Sequence, residues 1–359
     1  MAADELGNRV PDPQGRGPMS APVELHERTV AIDARPISGD RLEIRAELRD
    51  VRKIDLGVTL GRRRPAGVVH HMILDAVIDE DLIVRAIDTR METIPFEPSE
   101  RTWGEGCRHI LPNYQHLLGT RMDGGYAAHV NETVGGPLGC FHILSMAQCL
   151  PLAVRAASGR LCGGARRVPS SARAMVRDSC SQWTADSPYW REVREVTGAG
   201  FRELRRRIRI GASVDDRNRL GMAAELTDQL ADTPELRAAL TLWLESPRFA
   251  ILEARADLAG TPFAGCPVTL QGVPRLEGLA IAKGFTGAAL GRVAGPAGCA
   301  HLAALVIALT PVVPQASGAM AALLGHSPQA RLGNRAGGPQ VDSCHMWRAD
   351  GPLVSLKNG

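Results

Sequence analysis

The chain has no Gly-x-Ser-x-Gly elbow, no Walker loop and no Gly-x-Gly-x-x-Gly fingerprint. Serine hydrolase, P-loop nucleotidase and Rossmann readings therefore find no support in its 359 residues. It also lacks a Cys-x-x-Cys knuckle, so its eight cysteines do not have zinc-finger spacing. Charge of one sign is scarce: the formal net charge is +3 and spread out, which argues against a nucleic-acid partner. No N-terminal apolar stretch resembles a signal peptide. The longest apolar run, about residues 302–314, is interrupted by Thr310-Pro311 and is too short to span a bilayer. These absences give the expectation of a cytoplasmic protein without a membrane partner. Thiols stay reduced there, so the cysteines read as core fillers, metal ligands or nucleophiles rather than disulfides.

What the chain does have is internal repetition. Gly136-Pro137-Leu138-Gly139-Cys140-Phe141-His142-Ile143 returns as Gly295-Pro296-Ala297-Gly298-Cys299-Ala300-His301-Leu302. Downstream of each lies a second shared motif, Asp178-Ser179-Cys180 with Trp183 and Asp342-Ser343-Cys344 with Trp347. Upstream, Val30, Ile32, Leu42, Leu48 and Asp50 recur as Ile208, Ile210, Leu220, Leu226 and Asp228 at a constant offset of 178 residues. The offset is 167 at Phe96 and Phe263, 159 at Cys140 and Cys299, and 164 at Cys180 and Cys344. It holds within elements and changes between them, as loop insertions make it do. In the first half the longest insertions fall near 62–67 and 97–108.

Period-two alternation predicts strands over 29–32, 42–48, 68–79 and 82–91. Helices follow at 108–118, at 126–133 and after Gly139, with Pro151 expected to bend or interrupt the last. Residues 159–170 read as a Gly/Arg-rich loop. The order of elements predicts an α+β fold. Two tandem repeats, each a small antiparallel sheet of about four strands followed by about three helices, would pair as a pseudo-twofold dimer. The expected bounds are a disordered leader over 1–24, a first repeat over 25–190 and a second over 200–359. The basic runs Arg62-Arg63-Arg64 and Arg205-Arg206-Arg207 read as solvated strand ends or loops.

The second half concentrates the chemistry-bearing side chains. Cys266, Cys299, His301, Cys344 and His345 are the candidate metal ligands, for zinc or iron, an iron–sulfur site included. His301, His345 and Asp350 are the candidate catalytic groups. Residues two apart on a helix face different ways, so Cys299 and His301 share one point only if Cys299 sits at the cap, outside the regular helix. There its thiolate gains from the helix dipole. Cys299 and Cys344 are expected close together. In the first half Ser181 stands where His345 stands in the second, so the working site is expected in the second half. His70 and His71 are adjacent on a strand and face opposite ways, so at most one can join a site. Cys149 and Cys162 have no counterpart and read as structural. Trp183 and Trp347 read as packing anchors.

Cys266-Pro267, Gly298-Cys299-x-His301-Leu302 and Cys344-His345 followed by Asp350-Gly351 resemble the bacterial family called "domain of unknown function 2889", as does the strand pair over 68–91 with His71-Met72. The likeness covers both halves and implies no reaction. A fold-level analogy is to NifU-like iron–sulfur scaffolds, which also place a Gly-Cys at a helix start. The expected function is an enzyme acting on a small organic or acyl substrate through a Cys/His site. The alternatives are a metal or iron–sulfur carrier and a non-catalytic adaptor with structural cysteines.

Overall fold

A computed structural model describes residues 21–358 apart from 38–39, 60–61, 159, 163–164, 170–172, 174, 192, 197–199, 232, 234 and 327–340. The expected leader, over 1–24, falls almost wholly outside the described residues. The dominant element is one eight-stranded antiparallel sheet. Its strands are β1 (Val23–Ile37), β2 (Arg41–Arg52), β5 (Gly67–Ile78) and β6 (Val84–Thr93) from the first half. From the second come β10 (Leu204–Val214), β11 (Leu220–Leu230), β12 (Leu236–Glu245) and β13 (Ala250–Ala259). They lie in the order β13-β12-β11-β10-β1-β2-β5-β6, so β1 and β10 meet at the centre.

The alternation that marks these strands in the sequence is an alternation of faces. On β1, His26, Arg28, Val30, Ile32 and Ala34 are buried beneath helices, while Glu27, Asp33 and Arg35 face outward. The outer face carries a charge ladder instead, with pairs such as Arg207–Asp33 and Arg209–Glu27 across the central seam. On the covered face one hydrophobic core runs through both halves.

The helical layer is built from α1 (Tyr126–Val134), α2 (Phe141–Ala157), α3 (Pro188–Arg191), α4 (Phe285–Val293), α5 (Ala300–Leu309), α6 (Val313–Leu323) and α7 (Pro352–Asn358). Pro151 does not interrupt α2, which runs through it. The segment expected as a helix over 108–118 is a 3-10 helix, Cys107–Leu117, with Pro112 inside it. The stretch expected as a loop forms the short strands β7 (Arg160–Cys162) and β8 (Ala165–Pro169), which join β9 (Arg194–Val196) in a small second sheet. A two-residue hairpin, β3 (Val58–Thr59) with β4 (Arg62–Arg63), occupies one predicted insertion.

Thr310-Pro311 also breaks the helical layer less than its letters suggest. A 3-10 turn, Thr310–Val312, joins α5 to α6, and Ala300–Leu323 is long and apolar enough to cross a membrane by length and composition alone. Within the protein 72% of its most apolar window is buried, as in a core helix.

The two Asp-Ser-Cys segments do not dock on their own halves. The N–H of His345 donates to the Gly139 carbonyl at 2.9 Å, and that of Ser181 to the Gly298 carbonyl at 2.9 Å. Each downstream motif thus closes over the Gly-Cys turn of the other half. Gly139 and Gly298 permit that turn by close approach. A Cβ at Gly298 would lie 2.1 Å from the Val293 carbonyl oxygen, and one at Gly139 would lie 1.9 Å from that of Val134.

Candidate functional site

Register brings the first cluster together. Arg28 on β1 stands opposite Asp50 on β2, and Asp50 stands opposite His70 on β5. The three form a row across the sheet on its covered face. His26 lies two residues from Arg28 and shares that face. His142 enters from above, in the first turn of α2, and Gln315 from α6.

Asp50 is fully buried, and a buried carboxylate persists only when paired. The Arg28 fork supplies that pair, with Nε 2.7 Å from Oδ1 and Nη2 2.7 Å from Oδ2. His26 Nε2 lies 3.2 Å from Oδ1. Around Oδ2 gather His70 Nδ1 at 3.0 Å, Gln315 Nε2 at 3.2 Å and His142 Nε2 at 3.4 Å. The His70 and His142 rings lie 3.9 Å apart between centroids, and the Gln315 amide is 2.9 Å from His142 Nε2. Burial alone would raise the Asp50 pKa, but Arg28 overrides it, with help from His26 and His70, and holds it well below the usual carboxylate range. Burial pushes His142 well below its ordinary value, with the neighbouring His70 and Arg28 adding to the shift. Burial also lowers His70, against the pull of Asp50. The cluster is therefore one carboxylate with neutral imidazoles at its free edge.

Above it opens a pocket of ≈ 180 Å³, lined by His70, His142, Gln315, Met72, Phe96, Trp347 and three thiols, Cys107, Cys140 and Cys344. Cys140 caps α2 in an extended conformation, with Sγ 3.6 Å from His142 Nδ1 and 3.8 Å from Met72 Sδ. Its backbone N–H donates to the Tyr114 hydroxyl at 3.0 Å. Burial, followed by nearby Cys344, pushes the Cys140 thiol up to about 12. Burial raises Cys107 and Cys344 too. These thiols stay protonated near neutral pH.

The second half repeats the row with pieces missing. Arg206 stands opposite Asp228 and holds it through Nε at 2.7 Å and Nη2 at 2.6 Å. Opposite Asp228 on β12 is Leu236, where the first half has His70. Leu204 takes the place of His26. His301 remains, with Nε2 3.3 Å from Asp228 Oδ2 and Nδ1 3.7 Å from Cys299 Sγ. Cys299 is the extended N-cap of α5, ahead of the first helical residue Ala300, and so it can face the same point as His301. Burial opposes both charges, yet Asp228 and Cys299 raise the His301 pKa and His301 lowers that of Cys299.

The candidate ligands of the sequence are thus divided. Cys299 meets His301, and His301 in turn meets Asp228. Cys266 opens the 3-10 helix Cys266–Leu276, and a Cβ at neighbouring Gly265 would touch the Gln182 side chain. Cys344 is carried instead to Cys140 and Cys107 in the first half. Its partner in the repeat, Cys180, comes within electrostatic reach of Cys299. The expected Cys299–Cys344 meeting is therefore replaced by Cys299 with Cys180 and Cys344 with Cys140. His345 points Nε2 at Glu105 Oε2, 3.0 Å away, and its ring stacks on His109 at 6.5 Å between centroids. The Asp350 side chain is 88% exposed and pairs with the Arg348 guanidinium, at 3.3 Å.

Trp183 and Trp347 do act as packing groups, edge-on to Phe263 and Phe96 respectively. Of the adjacent pair on β5, His70 joins the cluster and His71 turns to Glu47 on the outer face. His26, Arg28, Asp50 and Gln315 escaped selection from the sequence. A signal for two of them was present: Arg28 and Asp50 are charges at inward positions of the strand alternation and recur at the shared offset as Arg206 and Asp228. Arg206, expected as part of a solvated run, is 1% exposed. Only its neighbours Arg205 and Arg207 are solvated.

A family model described as "Protein of unknown function (DUF2889)" matches residues 26–155 and 192–315. The first segment holds His26, Arg28, Asp50, His70 and His142, and the second holds Arg206, Asp228, Cys299, His301 and Gln315. No curated protein and no solved structure matches the chain.

Proposed function

The chain belongs to the DUF2889 family, and from its own geometry we propose an enzyme acting on a small organic or acyl substrate at a metal centre in the first-half pocket. The ligands in this reading are Asp50, His70 and His142. One observation carries it: a donor atom from each of the three lies within 4.8 Å of the others beside an open pocket. The separations of 3.0 Å and 3.4 Å from Asp50 Oδ2 fit a shared ion. Two ligands each about 2.1 Å from a metal are about 3.0–3.4 Å apart at octahedral to tetrahedral angles.

The donor set of two imidazoles and a carboxylate suits zinc or mononuclear iron rather than a cluster that needs thiolates. Arg28 occupies one edge of the carboxylate, which has about four lone-pair sites in all, and so fixes its orientation. A metal held there would polarise a substrate oxygen or activate water. The chain's own groups would orient the substrate and exclude bulk water, with Phe96, Met72 and Trp347 as walls.

The pseudo-twofold arrangement belongs to the same reading. It is supported by the strand order and by a reciprocal seam, in which Arg28 faces Ile210 and Arg206 faces Ile32. The first site would then be the working copy and the second a relic that keeps the ion pair.

The test is elemental analysis of the full chain purified without oxygen. Binding of about one equivalent of zinc or iron is expected, lost in His70→Ala and His142→Ala but kept in His345→Ala. Protein that carries no metal and takes none up on titration overturns the proposal.

A further inference from the structure

The first-half pocket has an electrostatic bias that its metal-ligand set does not explain. Two guanidiniums, those of Arg52 and Arg64, line it, and among the described residues no carboxylate does. Arg64 is half-buried. Its Nη1 donates to the Pro95 carbonyl at 2.8 Å, and its guanidinium lies 4.6 Å over the Phe96 ring. Arg52 Nη1 donates to the Pro65 carbonyl at 3.1 Å. Both side chains are thus held in place by backbone oxygens. Among the described residues neither makes an ion pair, in contrast to the buried Arg28 and Arg206. Asp55, which acts on Arg52 from a distance, is taken up by the Gly57 N–H and by Arg63.

A guanidinium carries five donors in a planar fork, so one backbone bond leaves most of each fork uncommitted. Burial, followed by repulsion from Arg52 and Arg62, lowers the Arg64 pKa to about 10. Apolar side chains, Leu56, Val69, Met72 and Phe96 among them, make up much of the wall between the arginines and the imidazoles. Its size is small: a cavity of about 150 Å³ admits benzene, against ≈ 180 Å³ here.

We infer that this pocket takes a small organic acid, one aromatic ring or a short acyl chain bearing a carboxylate. The carboxylate faces Arg64 and Arg52, and the opposite end lies toward His70 and His142. This deepens the proposed function and rests on its choice of pocket, but not on the metal.

The experiment is calorimetric titration of the full chain, in the presence of a chelator, with benzoate and with its neutral isostere benzamide. Benzoate is expected to bind, and benzamide to bind at least about tenfold more weakly, because a charge-assisted hydrogen bond is worth about 1.5–3 kcal/mol. Arg64→Gln is expected to lose benzoate affinity by at least about the same factor. Arg52→Gln gives the same readout should Arg64→Gln fail to fold, as judged by its melting temperature. Benzamide binding as tightly as benzoate, benzoate binding indifferent to the arginine substitutions, or no benzoate binding at all would overturn the inference. Metal content is measured separately. A metal-free protein that binds benzoate sinks the metal centre alone, whereas a metalloprotein blind to the carboxylate sinks this inference alone.

Discussion

The rows Arg28–Asp50–His70 and Arg206–Asp228–Leu236 start from the same sheet positions and end in opposite electrostatic states. Both bury a bidentate arginine–aspartate pair under the helical layer. In the first, burial, with His70, Arg28 and His26 adding to it, holds the His142 imidazole neutral. In the second, leucines replace two of those neighbours, and His301 is left with Asp228 and a thiol, which favour its charged form. The ion pair is therefore the shared structural device. The additional imidazoles are what distinguish a donor cluster from a salt-bridged core.

The sharpest break of this comparison removes the shared device. Asp228→Ala leaves Arg206 buried without its partner and is expected to cost about 3–5 kcal/mol in denaturant unfolding, while metal content per folded chain stays unchanged. A loss under about 1 kcal/mol would mean that the pair does not hold the centre of the sheet.

Next in size is a gain. Leu204→His with Leu236→His restores the two missing imidazoles beside Asp228 and His301. Metal uptake is expected to rise by about one equivalent per chain. Unchanged uptake in a folded double variant would show that more than these imidazoles separates the two rows.

A smaller effect tests the crossed docking. Glu105 in the first half receives the Arg348 fork from the tail that carries Cys344. The Arg348 hydrogen bond outweighs burial and lowers the Glu105 pKa. A carboxylate lowered on folding stabilises above its unfolded value, about 4.3, and that contribution fades as the pH falls through the folded-state value. Glu105→Gln is expected to cost on the order of 1 kcal/mol at neutral pH. The gap to wild type should close as urea melts are taken to more acid pH. A gap that widens with acid would reverse the assignment.

Smallest of all, Arg205→Ala should change stability by no more than about 0.5 kcal/mol, because its side chain is solvated, whereas Arg206→Ala should unfold the chain readily. Equal effects would erase the distinction between the two neighbours.

The duplication, the strands and the α+β class were legible because they rest on periodicity and on offsets, which are local to the chain. Gly139-Cys140 and Gly298-Cys299 were legible too, since a helix cap is a local device. The grouping of side chains was not. Cys344 and Cys180 exchange halves, and no spacing along the chain announces that exchange, because docking depends on which turn each segment meets in space. His70, Asp50 and Arg28 become neighbours only through cross-strand register, which pairs residues 20 and 22 positions apart. The sequence by itself determined two copies of one sheet-and-helix unit with a Gly-Cys-x-His turn in each. Tertiary structure decided which copy gathers the imidazoles. A site needs donors within a few ångströms of one point, and only the packing of α2, α6 and the tail against the sheet sets those distances.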